Sequence, residues 1–151
     1  MKKTLALLFT VAMSATTFAQ GRNIAGTWTL DAAKTGPIAG APAAGARGAA
    51  GPPKMFIKQT PTEISIGMGT ETNVVSFNLD GSEAEQKMGK SKMEWKGDKF
   101  VATVSATRDG KTMTNSLTFY REGAWLVVEN PAHGGNGTDK MYYAKTPVEK
   151  K

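Results

Sequence analysis

The sequence predicts an all-β fold, an antiparallel up-and-down meander closing into a barrel of about 8–10 strands. Three observations carry that reading. From Lys54 to Leu126, short runs rich in β-branched and aromatic residues alternate with turn pairs. One alternating phase of apolar side chains persists through successive turns. No helical period of comparable strength occurs after the first residues.

The N-terminal residues read as an export signal rather than as structure. Lys2 and Lys3 form a positive start, Leu5 to Met13 a short apolar core, and Thr17-Phe18-Ala19 a cleavage site before Gln20. The expected organisation is a secretory signal at 1–19 and a single β-barrel domain at 20–151, exported to the periplasm or the medium. No later stretch reaches the length of a membrane helix. A first strand is expected at Ile24 to Leu30. Residues 36–53 (GPIAGAPAAGARGAAGPP) lack the large apolar groups that offset ordering entropy. A mobile loop is expected there, either a lid or a plain connection.

The turn pairs that follow are Pro61-Thr62, Gly69-Thr70, Asp80-Gly81, Gly89-Lys90, Gly97-Asp98, Asp109-Gly110 and Glu122-Gly123. Asp-Gly and Gly-X pairs tolerate positive φ and favour two-residue hairpins. A two-residue turn fixes which residues stand opposite each other. The expected pairs are Ile57 with Ile66, Ile64 with Val75, Phe77 with Ala84, Val75 with Gln86, Gln86 with Met93, Trp95 with Phe100, and Phe100 with Phe119. At the last turn two geometries remain open. A two-residue turn points Trp125 outward and pairs Phe119 with Leu126; a three-residue turn with a Gly123 bulge points Trp125 inward. A final strand is expected at about Asp139 to Lys145.

These pairings place the apolar residues on one face, among them Met55, Ile64, Met88, Val104, Met113 and Leu117. The opposite face carries Ser, Thr, Glu and Lys. A long sheet with one oily face curls and closes on itself. A membrane barrel would need the reverse, with apolar side chains outward.

The interior is either a cavity for one small ligand or a filled core. Inward methionines suit variable apolar guests, and inward amides can orient a polar group. The candidate ligand-binding residues are Met68, Phe77, Gln86, Met93, Trp95, Phe100, Asn115 and Phe119. The expected partner is a small apolar or amphipathic molecule.

Gly26-Thr27-Trp28 at the start of the domain resembles the Gly-x-Trp motif of the lipocalin and lipocalin-like families. The resemblance implies an up-and-down barrel binding a small hydrophobic molecule, with Trp28 closing one end. The chain departs from the family pattern in lacking a clear arginine in the last strand, where Lys140 or Lys145 would substitute. Gly26-Thr27-Trp28-Thr29-Leu30 with Lys34 is also similar to the start of small exported bacterial proteins of undescribed function.

Other functions find little support. Without Lys2 and Lys3 the net charge falls from +6 to +4. The basic run from Lys87 to Lys99 is interrupted by Glu94 and Asp98, unlike a nucleic-acid stripe. The chain has no cysteine and one histidine. His133 lies in a glycine-rich loop with no converging ligands, so it reads as a solvated loop residue rather than a metal or catalytic group. No cofactor and no catalytic residue is expected. The alternative to a binding barrel is an envelope-associated protein-interaction module with a filled core.

Overall fold

The computed structural model describes residues 23–36, 53–87, 89–131 and 137–147. The export signal expected at 1–19, nearly all of the Gly/Ala/Pro stretch, Met88 and the His133 loop lie outside the described residues.

Ten strands form among the described residues. They are β1 (Gly26–Leu30), β2 (Lys54–Gln59), β3 (Glu63–Met68), β4 (Val74–Asn78), β5 (Ala84–Gln86), β6 (Gly89–Lys96), β7 (Lys99–Arg108), β8 (Lys111–Glu122), β9 (Trp125–Pro131) and β10 (Thr138–Lys145). All lie in one antiparallel sheet, in the order β4-β3-β2-β1-β10-β9-β8-β7-β6-β5. The all-β meander is therefore as expected, and its first and last strands pair, Trp28 opposite Lys145 and Leu30 opposite Tyr143.

Among the described residues one helix, α1 (Ala32–Thr35), interrupts the meander. Four residues are too few to show a period in the sequence. The Asp31 carboxylate caps it by accepting the Lys34 N–H at 2.9 Å. Thr35 Oγ1 accepts the Tyr142 N–H of β10 at 3.0 Å.

Several expected pairings hold. Ile57 faces Ile66, Trp95 faces Phe100, and Phe100 faces Phe119. Asp109 and Gly110 both take positive φ, 52° and 73°, as a two-residue I′ hairpin requires. Others need correction. Ile64 faces Phe77 rather than Val75, because a loop at 69–73 replaces the expected two-residue Gly69-Thr70 turn. In the β5–β6 ladder Gln86 faces Gly89 rather than Met93. Gly89 is a strand residue. Its φ is 149°, and a Cβ there would collide with the Ser105 carbonyl of β7. The last turn is Gly123-Ala124, which sets Phe119 against Val128 rather than Leu126. Trp125 lies on the outer face, where Lys34 of α1 sits over its ring at 5.0 Å.

The largest correction concerns β4 and β5. Phe77 does not pair with Ala84, nor Val75 with Gln86: these strands are the two edges of the sheet. The Asp80 carboxylate folds onto Ser82, accepting its N–H at 2.8 Å and its hydroxyl at 2.6 Å. That local turn carries the chain across without aligning the two strands. The resulting seam is closed by side chains. The Ser76 carbonyl of β4 accepts hydrogen bonds from Ser91 Oγ and, at 2.9 Å, from Gln86 Nε2. Gln86 Nε2 also donates to Ser91 Oγ at 2.9 Å.

The core fills the inside of this wall. Trp28, Met55, Ile64, Met93, Phe100, Leu126 and Val128 are fully or almost fully buried. On the outer face, hydroxyl pairs join β7 to β8: Thr103–Ser116, Ser105–Thr114 and Thr107–Thr112, at 3.0–3.1 Å.

Candidate ligand-binding site

In a meander, alternate connections lie at the same end of the barrel. The turns at 60–62, 79–83, 97–98 and 123–124 share one end. The 69–73 and 109–110 connections and the junction of β5 with β6 share the other. The two ends differ in packing.

The first end is closed. Trp28 is fully buried, and its Nε1 donates to the Ile24 carbonyl at 2.9 Å. The Ile24 N–H in turn donates to Gln59 Oε1 at 3.2 Å. Arg121 of β8 lies 5.1 Å and Lys145 of β10 5.8 Å from the Trp28 ring centre, within the range of cation–π attraction. Lys145, opposite Trp28 in the β1–β10 ladder, is thus the last-strand lysine that meets this ring. Arg121, on an earlier strand, was not singled out by the sequence. Above this base Phe119 stacks on Phe100 at 4.6 Å, while Phe77 and Trp95 meet Phe100 at 6.4 and 5.6 Å. That cluster fills the middle of the barrel.

Towards the second end the packing thins into a cavity of about 90 Å³. Its walls are apolar: Ile66, Val75, Phe77, Val104, Leu117 and Phe119, with Met68 and Asn115 at the outlet. Met68 is 49% exposed and Met113 71% exposed. The Asn115 side-chain amide has no hydrogen-bond partner among the described residues. Thus four of the eight candidates, Met68, Phe77, Asn115 and Phe119, border one space. Phe100 is its buried support. Gln86 commits both amide protons to the seam. Met93 and Trp95 instead border an open groove of about 410 Å³ in the outer wall, between the 79–83 turn and β6. The groove is the larger hollow, but it opens to solvent and its rim carries Asp80, Lys92 and Glu94. The cavity is the better guest site because its walls are apolar and converge.

Titratable groups lie elsewhere. On the outer face Glu129 accepts the Tyr120 hydroxyl at 2.9 Å, with Lys140 at 3.4 Å and Lys99 at 3.8 Å. Partial burial acts to raise the Glu129 pKa, but hydrogen bonds from Tyr120 and Lys140 and the two lysine charges outweigh it, so the carboxyl sits below its ordinary range. Burial pushes the Tyr143 phenol upward. Among the described residues no three His, Asp or Glu side chains converge as a metal-ligand set.

The fold is a nearly closed, ten-stranded antiparallel β-barrel, with one packed end and one apolar hollow at the other. No protein-family model and no curated protein matches the chain. Solved structures do match its fold. Two variants of the fluorescent protein UnaG superimpose with TM-scores of 0.53 and 0.51, at 23% and 22% identity. They span 83% and 82% of this chain and 97% and 96% of theirs. Human cRBP IV superimposes with a TM-score of 0.51 at 18% identity, over 82% of this chain and 98% of its own.

Proposed function

We propose that the protein is an exported, non-catalytic barrel that binds a small amphipathic molecule in the hollow beside Asn115. The carrying observation is the cavity itself: apolar walls converging below a single free amide. The apolar end of the guest would lie against Phe77, Val104 and Leu117, and its polar end would hydrogen-bond Asn115 at the outlet. The likeness in fold to cRBP IV and UnaG supports a barrel that encloses a guest. The residues at 1–19 support export.

The cavity size restricts the guest. Ligand pockets commonly span roughly 300–1,000 Å³. About 90 Å³ therefore takes a short apolar segment, not a whole lipid. Burial is worth about 0.8 kcal/mol per methylene, so three to five methylenes would give about 2.5–4 kcal/mol. That corresponds to affinities on the order of millimolar. Tighter binding requires the flexible Met68 side chain at the outlet to swing aside and lengthen the hollow.

Titrating straight-chain alkyl acids and alcohols of increasing length, read by calorimetry and by methyl NMR shifts of Val104 and Leu117, tests the reading. Affinity should climb with chain length and perturb those methyls first. Absence of binding across the series, or shifts confined to the outer groove, would overturn it.

A filled lower core supports the second reading, an envelope-associated interaction module. It would be favoured if no ligand binds and a specific protein partner is retained.

A further inference from the structure

The chain has no cysteine, so all of its sulfurs are methionine thioethers. Burial sorts them. Met55 and Met93 are closed off, at 0% and 1% exposure, whereas Met68 and Met113 stand 49% and 71% exposed. A peroxide must meet the sulfur lone pair, so the exposed thioethers react first. The step is a two-electron oxygen transfer. The O–O bond of the peroxide breaks and one oxygen bonds to sulfur, giving the sulfoxide. The other oxygen leaves with the proton of the first, as water when the oxidant is hydrogen peroxide.

The two exposed sulfurs differ in what oxidation does. Met68 borders the hollow together with Asn115; Met113 does not line it. Oxidation turns a flexible apolar side chain into a polar one, and the new S=O oxygen is a hydrogen-bond acceptor. At Met68 that oxygen would stand among apolar walls such as Ile66, Val75 and Phe77, where an unpaired polar atom is costly. Among the described residues bordering the hollow, Asn115 is the one polar side chain, and its amide has no partner. We infer that Met68 is a peroxide-modified site, whose sulfoxide oxygen accepts an Asn115 N–H, draws the outlet shut and expels an amphipathic guest. The expulsion rests on the binding function proposed above; the modification and the new hydrogen bond do not. Met113 is the internal control, because its oxidation leaves the walls of the hollow unchanged.

Graded hydrogen peroxide on the folded, guest-free chain, followed by peptide mass spectrometry and NMR of the side-chain amides, tests the site. Met68 and Met113 should gain oxygen ahead of Met55 and Met93. As Met68 converts, the Asn115 amide protons should shift downfield and exchange more slowly with water. Met113→Leu should keep this response and Met68→Leu should lose it. If oxidation unfolds the chain by circular dichroism, Met68→Gln replaces it: its side-chain carbonyl offers the same kind of acceptor, and the same Asn115 shift is expected. A Met68 oxidised no faster than Met55 and Met93 overturns the inference. So does an Asn115 amide unmoved by full conversion of Met68, the result expected of a sulfoxide turned to solvent. Titration with straight-chain pentanol, read at the Val104 and Leu117 methyls, then tests the expulsion in Met113→Leu. Oxidation should weaken binding by roughly tenfold, and equal affinity before and after overturns the expulsion. A native chain that takes up no pentanol overturns the binding function and the expulsion with it, while the guest-free Asn115 signal still decides the modified site.

Discussion

At the scale of single residues, Asn115 and Phe100 divide the labour of the interior. Asn115 holds a free amide over an apolar hollow, so Asn115→Ala should weaken binding of an amphipathic guest by about one hydrogen bond, roughly 0.5–1.5 kcal/mol. Binding of a hydrocarbon of the same length should be unchanged. Parallel calorimetric titrations of the two guests check this. Phe100 is fully buried and touches three aromatic rings. Phe100→Ala should therefore lower stability by about 3–5 kcal/mol, the range for deleting a buried ring, measured by urea unfolding. The candidate residues were legible in the sequence to the extent that alternation fixes a face. Phe77, Phe119, Met68 and Asn115 share the inner face and border one cavity that runs from the middle of the barrel to its outlet. Depth itself is invisible to alternation, which is why Met93 and Trp95, on the same face, border a different hollow. Ser91 was missed for a related reason. A serine among inward apolar residues reads as an interruption until its partners across the seam are known.

At the scale of elements, the seam between β4 and β5 is the weakest join. Elsewhere neighbouring strands are joined by backbone ladders; here Ser91 and Gln86 side chains hold one carbonyl of β4. Ser91 is buried, so Ser91→Ala leaves Gln86 and the Ser76 carbonyl each short of a partner and should cost about 1–3 kcal/mol. Hydrogen exchange should show amides of β4 and β5 exchanging sooner than those of β7 and β8, with the variant widening the gap. The sequence could not reveal this break. Asp80-Gly81 has the composition of a hairpin turn, but its geometry is set by the Asp80 contact with Ser82. Gly89 misled in the opposite sense: it is required by the close approach of β7, not by a turn. The faces survived these register errors. The true pairings differ from the expected ones by even steps, and an even step keeps each side chain on its side of the sheet.

At the scale of the whole molecule, stability should fall at both extremes of pH for separate reasons. Glu129 has a folded pKa below its ordinary value. Its contribution is full above the unfolded glutamate value, about 4.3, and is lost as pH falls through the folded value. Tyr143 has a raised pKa from burial. Its contribution is full below about pH 10, the unfolded tyrosine value, and is lost as pH rises through the folded one. Thermal unfolding across pH should show Glu129→Gln flattening the acid limb and Tyr143→Phe flattening the alkaline limb.

The spatial order of the strands, from β5 through β10 and then β1 through β4, is the chain order cut once and rejoined. Linking the residues before β1 to those after β10, and opening the chain between Asn78 and Ala84, would yield a permuted polypeptide. In it every consecutive pair of strands is already bonded side by side, and the only ends fall where the backbone ladder is missing. Such a permutant should fold at least as fast as the natural order in stopped-flow refolding, because no connection would have to bridge unpaired neighbours.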